Sequence, residues 1–538
     1  LRKNYQVVTA DSPETGLEAL ERLAQGGEAV ALVVADLRLP GMDGVEFLER
    51  AHALHSSAIR ALLVAMDRRG TRIPFGALDA LQRATALGRI DFWLVKGWVA
   101  PEELLYPQIQ EALTAWTRAN RPRHEVMRLV GDQWSPHSHV LRDALARNTV
   151  PFGFYAADSD AGQRLLRDYD VDAGRLPAVI LHDGSVLHNP AFIDIADALG
   201  VHTRPSSEVY DLTILGAGPA GLAAAVYGAS EGLHTLVIEP AAIGGQAGTS
   251  SMIRNYLGFP RGVSGGELAF RAWEQALLFG AQFVFSQEAT GLTMHGRHRA
   301  VALGDGSEVI SRAVMIAAGV EYRRLGIPAL ERLVGAGVFY GAASVAAPAM
   351  VGQEVYVVGG ANSAGQAAQH LARFATRVTL LVRGESLEAG MSEYLITQLE
   401  ALPNLQVRLR TRVVDGHGGD RLEGLTLEEI ETGEREAVPA AALFVLIGAE
   451  PRTEWLRDRV QLDDRGYIMT GRDLHLQEWA LARPPLPFET SLPGVFAVGD
   501  ARHGSVKRVA GAVGEGSVAV GSVHQYLADL AAGDQGGR

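Results

Sequence analysis

Residues 210–240 read YDLTILGAGPAGLAAAVYGASEGLHTLVIEP. An apolar strand runs into a glycine turn, an alanine-rich helix follows, and a second apolar strand closes the unit. This is the strand–turn–helix–strand order of a parallel α/β sheet. Gly216, Gly218 and Gly221 carry the G-x-G-x-x-G spacing. The first glycine permits the tight turn, the second lets a pyrophosphate approach the backbone, and the third lets helix and strand pack closely. The helix opens at Pro219 and Ala220, where free N–H groups and the positive dipole end favour phosphate. Glu239 ends the second strand 23 residues after Gly216, where a carboxylate can accept from ribose hydroxyls. The stretch predicts a dinucleotide-binding fold, the alternative being a tight βα turn without a ligand.

The same plan recurs at residues 354–386, EVYVVGGANSAGQAAQHLARFATRVTLLVRGES. Gly359 and Gly360 open the turn, Ala361 and Ala364 take the second and third glycine positions, and Asn362 and Ser363 complete it. Arg383 and no acid ends the second strand, which favours a 2′-phosphate and hence NADPH, with NADH still possible. The alternative is a nucleotide fold that no longer binds anything.

Outside these turns, 538 residues predict three or four domains. Hydrophobic content of 47% and charge of 21% describe a globular chain without a membrane-spanning run. A net charge of −13 argues against broad nucleic-acid binding. No basic-then-apolar leader is visible behind Leu1, so the cytoplasm is the expected location. The chain has 0 cysteines, which excludes disulfides, thiolate metal sites, iron–sulfur clusters and any dithiol mechanism of its own. No metal site is expected. Of 49 basic residues three are lysines (Lys3, Lys96, Lys507) and the rest arginines.

Toward the N-terminus, short apolar runs (YQVVTA, ALVVAD, RALLVAM, DFWLV) alternate with amphipathic stretches such as SPETGLEALERLA over residues 5–117, a doubly wound pattern. RANRPRH (118–124) reads as a linker, strands VMRLVG, VPFGFYA and PAVILHDG with the helix SHVLRDALARN form a smaller unit, and VHTRPSSE (201–208) reads as a second linker.

The first turn, together with IGGQAGTSSMIRNYLGFP, MIAAGVEYRRLGIP and GVFAVGDARHGSVKRVAGAVGEGS, resembles the low-molecular-weight thioredoxin reductases, which are FAD enzymes. The resemblance covers residues 208–530. It implies that Glu239 to Gln246, including Gly244 and Gly245, lie along the FAD adenosine and pyrophosphate, with Asn255 near the flavin. It further implies Gly499 and Asp500 at the ribityl chain and phosphates, and Arg508, Val509 and Ala510 beside the isoalloxazine. The family commonly has glutamine where this chain has Val509. Ahead of the second turn the family carries a C-x-x-C pair, whereas FYGAASVAAP (339–348) is blank around Gly341 to Ala347. Disulfide reduction needs a thiolate, so the usual reaction cannot run on this chain alone.

VGDQWSPHSHVLRDALARN and RLPAVILHDGSVL resemble a thioredoxin- or glutaredoxin-like domain over residues 124–200. Trp134, Ser135, Pro136, His137 and Ser138 stand where that fold carries C-x-x-C, and Pro177 stands at its cis-proline. Two blank dithiol sites suit a chain that has left thiol chemistry, and imply that this domain holds a partner or stabilises the assembly. ALVVADLRLPGMDGVEFLERA resembles a response-regulator receiver starting at its second strand, the first being missing. That implies Asp36 as phospho-acceptor with Lys96 beside it; Val64 stands at the usual hydroxyl position and Gly97 at the usual proline. A docking scaffold is the alternative. The whole arrangement resembles fused response regulator/thioredoxin-disulfide reductase proteins.

The expected fold is therefore α/β: a receiver-like doubly wound domain (1–120), a thioredoxin-like domain without C-x-x-C (121–204), and two nested Rossmann-type domains. These are an FAD domain (205–321 and 446–538) and an NAD(P)H domain (322–445). The expected function is transfer of electrons from NADPH through FAD to a non-disulfide acceptor, with Lys507 and Arg508 as positive charge beside the flavin. For Lys507 a plain surface lysine is the alternative, and for His503, a weaker proton source, a plain loop histidine. Two other functions stay open: a redox-sensing flavoprotein scaffold, and a disulfide reductase using partner thiols. The resemblance implies a homodimer, and protein partners through the N-terminal domains.

Overall fold

The structure is a computed structural model that describes residues 6–535, apart from 66–80, 82, 86–87, 97–104, 121–124, 149, 251, 254, 260–261, 342–345, 476, 478 and 480. Gly97, the end of the first linker and residues 342–345 of the FYGAASVAAP stretch lie outside the described residues. The chain divides into two compact units: Leu1–Arg123 with Met391–Pro403, and His124–Gly390 with Asn404–Arg538.

In the first unit, strands β1 (Leu32–Asp36), β2 (Ile59–Ala65) and β3 (Phe92–Lys96) form a parallel sheet in the order β1-β2-β3. Helices α1 (Pro13–Gln25) and α2 (Gly44–Leu54) are started by Ser12 and Asp43, whose side chains accept the backbone N–H three residues on. α2 sits close on β1 because Gly44 has no side chain: a Cβ there would lie 1.9 Å from the Asp36 carbonyl oxygen. α3 (Tyr106–Asn120) continues into RAN, so the expected linker starts as helix. The expected strand YQVVTA is absent: Gln6–Ala10 forms no ladder, and Val7 and Val8 are exposed. A strand needs a paired edge and a face to bury, and this segment has neither.

The second unit begins with a mixed sheet ordered β5-β4-β6-β7 from β4 (Met127–Gly131), β5 (Phe152–Ala156), β6 (Ala178–Leu181) and β7 (Val186–His188). Only β4 and β5 run parallel. Helices α4 (Pro136–Arg147), α5 (Asp160–Asp168) and α6 (Phe192–Ala198) belong to the same module, and the Leu176–Pro177 peptide is cis. The expected second linker is docked: His202 accepts the Phe285 N–H at 3.0 Å, and the Gln287 amide donates to the Thr203 carbonyl at 3.1 Å.

The first glycine turn joins β8 (Tyr210–Leu215) to helix α7 (Pro219–Ser230) and β9 (Thr235–Glu239). With β10 (Gln282–Phe285), β11 (Ala289–His295), β12 (His298–Leu303), β13 (Glu308–Ile316) and β24 (Val495–Ala497) these make a seven-stranded sheet, ordered β10-β9-β8-β13-β12-β11, with β24 beside β13. Helix α8 (Gly265–Leu278) and the long C-terminal helix α10 (Val509–Gln535) pack near α7. The core here is built from alanines and branched aliphatics such as Ala224, Ile214, Val237 and Val523. Small side chains let the helices approach: a Cβ at Gly516 of α10 would lie 2.1 Å from the Ala220 carbonyl oxygen.

The second glycine turn lies in a five-stranded parallel sheet ordered β15-β22-β16-β17-β18. Its strands are β15 (Val338–Tyr340), β16 (Glu354–Val358), β17 (Arg377–Leu381), β18 (Leu405–Arg408) and β22 (Ala442–Val445). Helix α9 (Asn362–Leu371) follows the turn, and an antiparallel sheet of β19 (Thr411–His417), β20 (Gly424–Glu429) and β21 (Arg435–Pro439) lies between β18 and β22 in sequence. The chain passes between the two nucleotide folds twice, through β14 (Val320–Tyr322) and β23 (Ala449–Pro451), which pair antiparallel.

Candidate active site

Both glycine turns open on one crevice of about 950 Å³. At the first turn, Gly216 has φ +108° and a Cβ there would meet the Ala317 carbonyl oxygen at 2.5 Å. A Cβ at Gly221 would lie 1.9 Å from the Gly216 carbonyl oxygen, so α7 seats on the turn only with glycine there. Gly218 differs: a Cβ would meet nothing within 4 Å, because that face opens into the crevice. No side chain caps the α7 N-terminus, leaving its first N–H groups to an outside acceptor. An open glycine face and an uncapped helix end fit the pyrophosphate of a dinucleotide.

Glu239 lines the crevice yet is 5% exposed. One carboxylate oxygen accepts the Ala217 N–H at 2.6 Å; the other accepts the N–H groups of Ala241 and Ala242 at 2.8 and 2.9 Å. Its main structural work is therefore to tie the first turn to the loop after β9, and only the remaining lone pairs face outward. Gly245 and Gln246 line the crevice, and a Cβ at Gly245 would lie 3.3 Å from Gly218 Cα. Gly244 is not in the lining, and a Cβ there would lie 2.6 Å from Ala269 Cβ. Asn255 is exposed and outside the crevice lining.

From the C-terminal segment, Gly499, Asp500, Lys507, Arg508 and Val509 line the same crevice, while Ala510 does not. The Gly499 N–H donates to Glu515 at 2.8 Å, and Glu515 pairs with Arg502 at 2.7 Å. Burial pushes the Asp500 carboxyl above its ordinary range, opposed by Lys507 and reinforced by Glu515. Lys507 donates to the Asp500 carbonyl and lies 4.3 Å from the centre of the Tyr467 ring. Desolvation lowers its pKa, with Asp500 acting against that fall. His503 is not in the lining; it is tied at 2.7 Å to Asp463.

The second turn contributes Ala361 and Ser363, with Gln366, Ala367 and His370 of α9. Gly359 has φ +150°, and a Cβ there would strike the Leu446 carbonyl oxygen at 2.4 Å. The α9 N-terminus also lacks a side-chain cap, which again fits a phosphate. Gly360, Asn362 and the buried Ala364 shape the turn without lining the crevice, and Arg383 is exposed beyond β17. Gln366 and His370 were missed from sequence, although their i+3, i+7 spacing from Ser363 puts all three on one helix face. Burial lowers the His370 pKa.

Near the blank segment, Gly341 lines the crevice and takes φ +74°. A Cβ there would lie 2.5 Å from Tyr322 Cε2, so the tyrosine ring fills the space of a side chain. In the module of β4–β7 and α4–α6, the serine module, the Ser135 side chain caps α4 by accepting the Ser138 N–H at 3.4 Å, and Ser138 is fully buried. In the first unit, Lys96 is ion-paired with Asp36, whose carboxylate also accepts the Arg38 N–H at 3.1 Å. Val64 is buried in the core. Among the described residues no group of three or more His, Asp or Glu could hold a metal ion. Likewise, no described helix is long and apolar enough to cross a membrane.

The profile of the pyridine nucleotide-disulphide oxidoreductase family matches residues 210–516. A thioredoxin reductase of Mycolicibacterium smegmatis is 34% identical over 60% of this chain and 98% of its own length. A bifunctional thioredoxin reductase/thioredoxin of Mycobacterium leprae is 32% identical over 62% of this chain and 69% of its own. Among solved structures, Lactococcus lactis thioredoxin reductase (FR conformation) superposes with a TM-score of 0.54 at 28% identity, covering 60% of this chain and 99% of that one. Thioredoxin reductase of T. acidophilum gives 0.53 at 26%, with 60% and 99% covered. The described glycine turns fall inside the matched span, as does the crevice lining apart from Arg147. The chain belongs to the pyridine nucleotide-disulphide oxidoreductase family, among its thioredoxin reductases, and is an oxidoreductase with the family's cofactors, FAD and NADPH.

Proposed function

We infer that this chain moves electrons from NADPH through FAD to an acceptor that is not a disulfide. The observation that carries the reading is the pairing of one crevice lined by both nucleotide folds with a chain of 0 cysteines. FAD, when bound, accepts hydride from the nicotinamide and hands the electron pair on. The first turn and Glu239 would hold its adenosine half, and Gly499 to Val509 its flavin half. Lys507 and Arg508 bring positive charge to that wall, which favours an anionic reduced ring. The second turn, with Arg383 at the 2′-phosphate, would hold NADPH. A small acceptor such as a quinone suits an open crevice with no thiol in reach.

The N-terminal residues support a receiver-like module with Asp36 as candidate phospho-acceptor, and the serine module a redox-inert thioredoxin-like domain. Both suit protein partners better than catalysis, in a cytoplasmic homodimer. A redox sensor is the second reading, favoured by the Lys96–Asp36 pair, which resembles a signalling site.

The test is anaerobic absorbance of the purified holoprotein on mixing with NADPH or NADH, followed by a quinone and by an aromatic disulfide. Rapid bleaching by NADPH and reoxidation by the quinone alone is the expected result. No bleaching by either nucleotide, while dithionite still reduces the flavin, would remove the oxidoreductase reading and leave the sensor. Reoxidation by the disulfide would remove the non-disulfide acceptor.

A further inference from the structure

The chain runs between the two nucleotide folds through the paired segments β14 and β23. Two folds connected by a pair of strands can rotate unless something else fixes them. Helix α4 of the serine module touches both folds and the connection between them. At its C-terminal end the Asn148 amide donates to the Ala241 carbonyl at 2.9 Å, and Arg147 reaches the Gly245 carbonyl at 3.5 Å; both acceptors belong to the first fold. At its N-terminal end the His139 ring packs 4.8 Å from the Phe339 ring of β15 in the second fold. Pro136 lies so near Gly335 that a Cβ on that glycine would be 2.9 Å from Pro136 Cα. Arg421 of the second fold stands 5.5 Å over the Trp134 ring, just ahead of the helix. Midway along the helix, Asp143 faces a cavity of about 190 Å³ lined also by Tyr322 and Arg452, one from β14 and one just past β23. Twelve helical residues span about 18 Å, enough to bridge the connection.

We propose that α4 is an intramolecular brace across the β14–β23 connection, holding the two nucleotide folds in the arrangement that gives them a common crevice. The serine module keeps a structural task after losing any thiol: the residues at its former reactive turn, Trp134 and Pro136, bear on the second fold. Rotation of one fold against the other would break contacts at one end of α4 while the other end stayed in place. The brace depends on neither the acceptor nor the donor.

The absence of cysteine makes the test direct, because two introduced thiols are the only labelling sites. Glu274→Cys on α8 and Arg373→Cys after α9, both exposed positions, take spin labels on the two folds. The labelled full-length holoprotein, diluted into excess unlabelled chain, is read by pulsed electron–electron resonance with and without NADPH. A single narrow distance distribution, unchanged by NADPH, is expected. Two populations in the intact chain, or a shift with NADPH, would overturn the brace. Adding Trp134→Ala, His139→Ala and Asn148→Ala should broaden the distribution or add a second maximum. An unchanged distribution in that variant, with its far-ultraviolet circular dichroism intact, would equally overturn the proposal. Should the variant fail to fold, the distribution of the intact chain still decides. Distances are read without turnover, so failure of the electron-transfer reading leaves this test unaffected.

Discussion

The ring of Tyr322 occupies the volume that a side chain at position 341 would need: a Cβ on Gly341 would lie 2.5 Å from Tyr322 Cε2. The blank stretch is thus filled at this point from the connecting strand. Gly341→Ala should destabilise the chain by about 1–3 kcal/mol, through overpacking and a left-handed backbone. Adding Tyr322→Ala should recover the overpacking part and leave the backbone part. Urea unfolding of both variants checks this; strictly additive losses would refute the contact.

Glu239 accepts three backbone N–H groups, so its loss should act on the fold as well as on the cofactor. Glu239→Ala should lower apoprotein stability by about 1–3 kcal/mol for each donor left buried without a partner. It should also lower the flavin retained through purification. Unchanged melting with lower flavin content would assign the carboxylate to the ribose alone.

Gly218 and Gly221 separate binding from folding. Gly218 has φ −71° and open space where a Cβ would go, so Gly218→Ala should leave apoprotein melting nearly unchanged while weakening FAD retention. Gly221→Ala drives a methyl into the Gly216 carbonyl and should lower melting directly. Equal melting losses in the two variants would contradict the assignment of the open face to the cofactor.

Arg383 is exposed and has no ion-pair partner among the described residues, so its charge is available to a phosphate. Arg383→Ala should raise the KM for NADPH about tenfold, the loss of one charged hydrogen bond, and leave that for NADH unchanged. Equal effects on both would place the 2′-phosphate elsewhere.

Tyr340 gives an alkaline signature. Burial, followed by the Glu331 carboxylate that its hydroxyl donates to, pushes its pKa up to about 12 from 10.0. The folded state keeps the proton over a range where the unfolded state releases it. Its contribution is therefore complete below pH 10 and is lost as pH rises from 10 toward 12. Stability of Tyr340→Phe measured at pH 9, 10 and 11 should fall less steeply than that of the unaltered chain; parallel slopes would contradict the shift.

What the sequence by itself determined is local. Each glycine turn is written within a βαβ unit of some thirty residues, because Gly216 and Gly359 take backbone angles and close approaches that side chains forbid. The absence of thiols is likewise complete in the sequence. YQVVTA failed as a strand because apolar composition does not supply a neighbouring edge, and VHTRPSSE failed as a free linker because its carbonyls found donors in Phe285 and Gln287. Only the tertiary structure set Arg147 beside Gly245, 98 residues away, and turned the Ser363, Gln366 and His370 face of α9 into the crevice that the first glycine turn also lines. Helical periodicity tells which side chains share a face. What that face meets depends on how the folds pack, and packing energy is summed over side chains far apart in sequence.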